Sequence, residues 1–342
     1  MALAVKIRQI AEPLSVGMGE TILAAAQSAG IAYPFGCQSG NCGGCKSTLY
    51  AGEVEMSPYS EFALTEAERE AGLILACRAV PWSDCEVAWL EQDEGAAHAL
   101  RHLDCTVTSV EPLTHDIKRL RLKVQRGGPY HFSAGQYAPL TFDGLPPRDY
   151  SMANAPDDET LEFHIRAVDG GAVSRFVARD LKPGDAVRVD GPFGIAHFRE
   201  NHTGPIIAVA GGSGLAPILC IVERALRQDA QRPVTLYFGV RDERDLYLLA
   251  ELEALAARHS SFRLVPVLSQ ASTPTTRRTG FVAEALHADA PDVHGAKAYL
   301  AGPPVMVETA IAALNALGLP RQDCHADAFY TAADKARLEA AA

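Results

Sequence analysis

Four cysteines constrain this chain more than any other feature of its sequence. Cys37, Cys42 and Cys45 follow the spacing Cys-x4-Cys-x2-Cys, and Cys77 comes 32 positions after Cys45. This spacing is typical of a loop that binds a plant-type [2Fe–2S] cluster. Structural zinc is the alternative, but zinc sites usually contain paired Cys-x2-Cys segments. The sequence therefore predicts an iron–sulfur centre with these four thiolates as its ligands.

Glycines lie between the cysteines, at positions 36, 40, 43 and 44. A loop that wraps thiolates around an inorganic core needs positive φ angles and free backbone N–H groups, and glycine supplies both. The other four cysteines lack ligand spacing and are predicted to be small core residues; they are Cys85, Cys105, Cys220 and Cys324.

Length and composition limit the classes of protein. At about 150 residues per domain, 342 residues predict two or three domains. The hydrophobic share of 48% and the charged share of 21% exclude a disordered chain or a fibre. The 31 Lys+Arg against 42 Asp+Glu give a net charge of −11 and form no basic stripe, which argues against nucleic acid as a partner. The sequence has no apolar run of signal or membrane-span length, so we expect a cytoplasmic protein without a membrane partner, and a monomer.

Changes in charge and hydrophobic pattern along the sequence predict three modules. Residues 1–95 hold 5 Lys+Arg and 13 Asp+Glu, a net charge of −8, so we assign 1–92 to an iron–sulfur module and 93–101 to a polar linker. Short alternating runs and Gly/Pro turns in 102–200 predict an antiparallel barrel or sandwich with one helix near 173–180. Apolar runs alternate with helical stretches in 201–330, which predicts a parallel sheet with crossover helices. The Ala-rich tail 331–342 is expected to fray.

A second set of residues predicts a flavin site in the middle module. Arg148 offers a cation for phosphates, Tyr150 a flat ring for the isoalloxazine, and Ser151 a small hydrogen-bonding group for its redox-active edge. His164 and Arg166 close the next predicted strand. The helix that follows offers free N–H groups to a pyrophosphate; its first residues are Gly171, Val173 and Ser174.

A glycine turn between a strand and a helix predicts a nucleotide site in the last module. The strand 206–210 runs into Gly212, Ser213 and Gly214, and a helix follows. This is the structural context in which such a motif binds a pyrophosphate. Pro217 stands where a dinucleotide fingerprint would have its third glycine.

These motifs, in this order, resemble a known family across nearly the whole chain. The cysteine loop is similar to plant-type ferredoxins, and the two following modules to the ferredoxin–NADP reductase superfamily. Together they resemble the reductase components of multicomponent aromatic-ring oxygenases. The resemblance implies a multidomain α+β and α/β fold: a β-grasp ferredoxin, a six-stranded antiparallel FAD-binding barrel and a parallel-sheet nucleotide domain.

The resemblance also implies roles for single residues. In this superfamily an acidic residue at the position of Asp245 is associated with specificity for NADH, because a carboxylate accepts a hydrogen bond from the ribose 2′-OH and repels a 2′-phosphate. Arg241 is close to it in the sequence and leaves NADPH possible as a donor. The terminal segment is expected to lie against the flavin, with Asp327 acting beside Ser151 and Phe329 as an aromatic lid. Ala301 replaces the cysteine that the family usually has near the nicotinamide.

The implied function is electron transfer from NADH, through FAD and the [2Fe–2S] cluster, to a terminal oxygenase, directly or through a separate ferredoxin. NADH gives a hydride and the cluster takes single electrons, so a flavin must act between them. The same chain of cofactors could instead supply a haem-thiolate monooxygenase, a di-iron hydroxylase or a deoxysugar dehydratase. A redox sensor or an electron carrier with little turnover is the alternative from another class. The acidic first module predicts weak, charge-steered docking to a basic surface of the partner.

Overall fold

The computed structural model describes residues 2–90, 98–331 and 334. Most of the predicted linker, residues 93–97, lies outside the described residues, as does most of the predicted tail. The chain forms two compact units, one made of Met1–Gly95 with Tyr330–Ala342 and the other of Ala96–Phe329. Tyr330 belongs to the first unit, where its hydroxyl donates to Ser60 Oγ over 3.3 Å. This division falls one residue before the predicted start of the tail.

The first unit is built on a five-stranded sheet in the order β2-β1-β7-β3-β5. Strands β1 and β7 are parallel and the other neighbours are antiparallel, while β4 and β6 form a separate pair. Thr21 caps α1, which buries Ile22 and Leu23 against the sheet. The elements are β1 Leu3–Ile7, β2 Leu14–Val16, α1 Ile22–Ser28, β3 Lys46–Ala51, β4 Val54–Met56, α2 Glu66–Glu70, β5 Leu73–Leu75, β6 Ala79–Pro81 and β7 Cys85–Trp89.

The first half of the second unit is a six-stranded antiparallel sheet in the order β11-β10-β13-β8-β9-β12. A bridge between Met152 and Phe163 joins its two edges, so the sheet is nearly closed, as the barrel prediction requires. The strand that begins at Thr160 ends at Arg166, because the Ala167 N–H leaves the ladder and donates to the Asp116 carbonyl. The elements are β8 Arg101–Pro112, β9 Ile117–Arg126, β10 Tyr137–Phe142, β11 Arg148–Ser151, β12 Thr160–Arg166, α3 Ala172–Arg179 and β13 Ala186–Gly191.

The second half is a six-stranded parallel sheet in the order β17-β16-β15-β14-β18-β19. Strand β14 is buried at every position because it lies in the middle of the sheet with helices on both faces. The helix that ends at Arg258 begins only at Leu249, since Leu248 adopts a positive φ of 52°. The elements are β14 Ile206–Gly211, α4 Leu215–Gln228, β15 Val234–Val240, α5 Leu249–Arg258, β16 Phe262–Leu268, β17 Arg278–Thr279, α6 Val282–Asp289, β18 Lys297–Gly302, α7 Pro304–Ala316 and β19 Cys324–Ala328.

Strand order places a ligand crevice at one edge of the parallel sheet. The chain leaves β14 towards β15 on one side and later returns to β18 on the other, so the direction of strand order reverses beside β14. Ligands of open α/β sheets bind at such a point, beyond the carboxyl ends of the strands. The glycine turn at Gly212–Gly214 follows β14 at that position. Among the described helices none has the length and hydropathy needed to cross a bilayer.

Candidate functional site

The four predicted cluster ligands come together in the first unit as two pairs of thiols. Cys42 is hydrogen-bonded through its thiol to Cys37 and lowers the pKa of Cys37 well below its usual value. Cys77 is hydrogen-bonded in the same way to Cys45 and lowers the pKa of Cys45. Backbone N–H groups reinforce both pairs, since Cys37 N donates to Cys42 Sγ over 3.2 Å and Cys77 N to Cys45 Sγ over 3.4 Å.

This pairing fits a binuclear centre better than a single tetrahedral ion. Among the described residues, no three cysteine sulfurs lie within 4.8 Å of one another, as ligands of one metal ion would. Two thiolates for each of two irons is the ligand set of a [2Fe–2S] cluster. All eight cysteines are free thiols, so no disulfide competes for these four. Cys37, Cys42, Cys45 and Cys77 are therefore the residues that would hold the cluster, which supplies one-electron chemistry.

Backbone donors surround the cysteine sulfurs. The N–H groups of Ser39 and Asn41 donate to Cys37 Sγ over 3.4 and 3.2 Å, and that of Gly44 donates to Cys42 Sγ over 3.4 Å. Hydrogen bonds to the sulfurs stabilise their negative charge and help set the reduction potential. They are available because the loop follows no regular secondary structure.

Glycine is required at two positions of this loop. Gly40 and Gly43 have φ angles of +76° and +73°, which side chains rarely adopt. A Cβ on Gly43 would lie 2.9 Å from the Ala63 carbonyl oxygen, and the chain could not move aside without disturbing the loop. The predicted purpose of the interleaved glycines is thereby explained at these two positions.

Strand β11 carries the predicted flavin residues on its two faces. Arg148 is exposed and Tyr150 is half-buried against the hydrophobic core, where burial raises the pKa of its hydroxyl to about 12. Ser151, at the end of the strand, is buried, and its hydroxyl donates to Asp327 Oδ2 over 3.3 Å. The structure thus brings together the two residues that sequence analysis assigned to catalysis.

The helix after β12 has the features expected of a phosphate site. Within the described chain no side chain caps α3, whose first residue follows Gly171, so its N-terminal N–H groups remain free for an anion. The Ser174 hydroxyl accepts from Val168 N over 3.1 Å and holds the preceding turn. Val173 is buried, so only its backbone can face a ligand. An FAD pyrophosphate fits this set of donors.

The side chain of His164 points into the protein. Burial lowers the pKa of His164, whose Nε2 is hydrogen-bonded to Glu162 Oε1 over 3.0 Å and whose Nδ1 lies 3.3 Å from the Tyr247 hydroxyl. Only the backbone of His164 is left for the predicted flavin contact. Tyr247, which sequence reasoning missed, comes from the nucleotide module and lies 3.5 Å from the Gly212 carbonyl oxygen.

The glycine turn is packed tightly against the end of β18. A Cβ on Gly214 would lie 2.1 Å from the Ala301 carbonyl oxygen, so no other residue fits there without backbone movement. Gly212 has a φ of +53°. Ser213 is half-buried between these glycines. Phe329, the predicted lid, is half-buried, and its N–H donates to the Gly302 carbonyl over 2.8 Å.

The predicted specificity residues form an ion-pair network. Both carboxylate oxygens of Asp245 accept from Arg241 over 3.1 Å, and Asp245 also accepts from Asp242 N. Asp116, which sequence reasoning missed, accepts from Arg241 over 3.2 Å and from Arg166 over 2.8 Å. The Asp245 carboxylate is therefore engaged by a cation in the same loop.

Three side chains of this network have the spacing of metal ligands. His115, Asp116 and Asp245 place one ligand atom each within 4.8 Å of the others. Because the guanidinium groups of Arg166 and Arg241 already neutralise the two carboxylates, we assign this group to an ion-pair network.

Comparisons with known proteins agree with the three parts of this geometry. Residues 6–81 match the 2Fe-2S iron-sulfur cluster binding domain, 104–198 the oxidoreductase FAD-binding domain, and 208–311 the oxidoreductase NAD-binding domain.

Similar proteins match the chain over nearly its whole length. The reductase component of the naphthalene 1,2-dioxygenase/salicylate 5-hydroxylase systems of Ralstonia sp. is 40% identical, over 94% of this chain and 98% of that protein. The reductase component of phenol 2-monooxygenase from Pseudomonas sp. (strain CF600) is 38% identical, over 98% of this chain and 97% of that protein. The solved structure of an Amycolatopsis cytochrome P450 reductase is 37% identical, with a TM-score of 0.78 over 96% of this chain and 98% of that one.

The three domain matches follow one another along the chain, and each of these relatives is aligned over nearly its whole length. The chain therefore belongs to the family of NAD(P)H-dependent flavin and [2Fe–2S] oxidoreductases that form the reductase components of oxygenase systems.

Proposed function

We propose that this protein passes electrons from NADH, through FAD and the [2Fe–2S] cluster, to a terminal aromatic-ring oxygenase, directly or through a separate ferredoxin. The observation that carries this proposal is the 40% identity, over nearly the full length, to a reductase of naphthalene dioxygenase and salicylate hydroxylase systems. The phenol monooxygenase relative also acts in a system with an aromatic substrate. Aromatic substrates are thus common to these two systems, whereas the class of terminal oxygenase differs between them.

FAD, when bound, takes a hydride from the nicotinamide and releases single electrons to the cluster. Ser151 and Asp327 would contact the reactive edge of the flavin, and their hydrogen bond fixes the orientation of the serine hydroxyl. Tyr150 would face the ring system, and Arg148 and the free N–H groups of α3 would hold the phosphates. Phe329 would cover the flavin until the nicotinamide displaces it.

NADH is the proposed donor, although Asp245 does not act alone. Asp245 and Arg241 form a bidentate ion pair. The carboxylate in this pair is buried, and it balances the positive charge of the guanidinium. A 2′-phosphate would have to compete with Asp245 for Arg241, while a ribose 2′-OH brings no such conflict. The network therefore favours NADH through both residues.

A second candidate is that the same electrons reach a monooxygenase or a cytochrome P450. The similarities to the phenol 2-monooxygenase and P450 reductases, at 38% and 37%, are only slightly lower than the 40% above. A redox sensor or simple carrier is disfavoured, because the chain matches FAD-binding and NAD-binding domains as well as the iron–sulfur domain.

Reconstitution distinguishes these acceptors. The full-length protein with NADH is combined in separate assays with a ring-hydroxylating dioxygenase and its ferredoxin, a phenol monooxygenase, and an aromatic O-demethylating P450. The readout is the amount of hydroxylated or demethylated product per NADH consumed. Catalase is present to remove the hydrogen peroxide that uncoupled turnover releases. We expect tight coupling with the dioxygenase; product formed only with one of the other two would overturn the proposed acceptor.

A further inference from the structure

Gly40 lies at a crowded point of the cysteine loop. Its backbone opposes the rise in the pKa of the Cys77 thiol that the hydrogen bond to Cys45 and burial cause, although Gly40 and Cys77 are far apart in the sequence. A Cβ on Gly40 would lie 2.9 Å from both Arg78 Cγ and Tyr59 Cβ, and 3.1 Å from Arg78 Cδ. The aliphatic stem of Arg78 is therefore packed directly on the backbone of Gly40, within the loop that carries the cluster ligands.

Two buried polar atoms near this point have no hydrogen-bond partner. They are Arg78 Nε and Asn41 Oδ1, and in the described part of the first unit no other buried side-chain nitrogen or oxygen is in this state. Asn41 follows Gly40, and Arg78 follows Cys77, so both orphan atoms belong to residues adjoining the cluster loop. An unsatisfied buried donor is costly, and such groups commonly indicate an interaction with a bound ligand.

We propose that Arg78 is a positioning residue of the iron–sulfur centre: its stem holds Gly40 against Cys77, and its guanidinium charge favours the reduced cluster. The inference rests on the cluster and its ligands and is independent of which oxygenase accepts the electron.

Charge gives the physical reason. Reduction by one electron, which the flavin supplies, adds one negative charge to a centre already made anionic by four thiolates. Reduction potentials of such clusters depend on local charge, hydrogen bonds to sulfur and solvent exposure. A fixed cation that is partly removed from water beside the loop stabilises the more negative, reduced state. Arg69 and Lys46, other cations of this unit, already pair with Glu66 and Glu68, whereas no carboxylate within ion-pair distance is found for Arg78 among the described residues.

The test is an anaerobic redox titration of the full-length protein with its flavin and cluster, following the electron paramagnetic resonance signal of the reduced cluster. Arg78→Met keeps most of the stem and removes the charge, while Arg78→Lys keeps the charge. Arg8→Met is the matched control, because Arg8 is a cation of the same unit that pairs with Glu86 and stacks on Tyr50. Iron and acid-labile sulfide are measured on each sample.

The comparison is made at the potential at which the unsubstituted protein is half reduced. At that potential we expect the ratio of oxidised to reduced cluster to be about tenfold higher in Arg78→Met. This corresponds to a midpoint potential lower by about 59 mV for one electron. The Lys variant and the Arg8 control should stay within about twofold of the unsubstituted protein. A fully loaded Arg78→Met protein with an unchanged ratio would overturn the proposal.

If Arg78→Met does not retain the cluster, Arg78→Gln provides a second neutral variant of similar length. A loaded Gln variant is judged by the same ratio. Loss of the cluster from both neutral variants but not from Arg78→Lys also supports a requirement for the charge. Loss from the Lys variant as well would show that shape alone matters and would overturn it.

Discussion

The hydroxyl of Ser151 donates to the carboxylate of Asp327 over 3.3 Å, joining the end of barrel strand β11 to the last strand of the parallel sheet. Because this bond orients a small hydroxyl group where we place the reactive edge of the flavin, Ser151→Ala should slow flavin reduction by NADH about tenfold or more. Anaerobic stopped-flow absorbance of the flavin measures this rate.

Ser109→Ala is the matched control for that substitution. Ser109 lies on β8 of the same barrel, and its buried hydroxyl has no hydrogen-bond partner among the described residues. Its loss should leave the rate of flavin reduction unchanged. Equal rates for Ser151→Ala and the unsubstituted protein, with FAD bound, would remove the reason for assigning Ser151 a catalytic role.

Cys42→Ser should abolish cytochrome c reduction and leave ferricyanide reduction by the flavin largely intact. The reason is that the serine removes one thiolate of the Cys37–Cys42 pair, so the cluster is lost while the second unit is untouched. Cys85→Ser is the control, since its buried thiol bonds only to backbone carbonyls in the contacts described. If both activities fell together in Cys42→Ser with the flavin retained, the order of electron transfer would be wrong.

NADH should give a higher kcat/KM than NADPH, and Asp245→Ser should narrow the difference about tenfold. Removing the carboxylate frees Arg241 to pair with a 2′-phosphate, and one charge pair near a protein surface is worth about 1–4 kcal/mol. Adding Arg241→Ala to Asp245→Ser should cancel the gain for NADPH. Comparable kcat/KM values for both nucleotides in the unsubstituted protein would contradict this assignment.

Glu162 should stabilise the barrel in a pH-dependent manner. Burial raises the pKa of Glu162, but the His164 hydrogen bond and the charges of Arg121 and Arg119 outweigh it and lower the pKa from 4.5 to about 2. A lowered pKa contributes stability that is complete above pH 4.5 and is lost as the pH falls towards 2. Glu162→Gln should therefore cost about 2 kcal/mol at pH 7 and less at pH 4.

Flavin fluorescence during urea unfolding follows the second unit and gives this comparison at both pH values. Because the Gln variant and the unsubstituted protein differ only at position 162, the difference in their stability at each pH isolates Glu162. A stability difference that did not shrink between pH 7 and pH 4 would exclude the carboxylate as its source.

Electron delivery to the true partner should slow as salt is raised, while NADH–ferricyanide turnover should change much less. Residues 1–95 carry a net charge of −8, so a basic partner surface would be steered towards the first unit. Charges are screened beyond about 8 Å at physiological ionic strength. Stopped-flow reduction of the partner at increasing NaCl measures the effect. Equal salt dependence of the two assays would mean that the acidic surface serves only solubility.

Local patterns predicted the parts of the site that are local in sequence. The cysteine spacing, apart from Cys77, and the glycine turn are each complete within ten residues. In the structure the four cysteines lie together as two pairs. Asp116 could not be found in this way, because its partners Arg166 and Arg241 are 50 and 125 positions away. The direction of the His164 side chain was equally hidden, since it depends on Tyr247 from another module.

The prediction for Asp245 also shows that sequence identifies a residue more easily than its contacts. The sequence showed that Asp245 follows β15. Its bidentate bond to Arg241, however, depends on a tight turn that brings residues four positions apart into contact. Sequence position alone therefore identified Asp245 but did not show that its carboxylate is paired with Arg241. The role of Asp245 towards the ribose stays a prediction.

The bond between Tyr330 and Ser60 has a consequence for the order in which the protein is made. Residues 2–90 leave the ribosome well before Tyr330, so the β2-β1-β7-β3-β5 sheet can form while the rest of the chain is still being synthesised. The hydrogen bond between Ser60 and Tyr330 can form only after residue 330 has been synthesised. A fragment that stops at residue 90, or a chain cut after Phe329, would reproduce the sheet without that final contact.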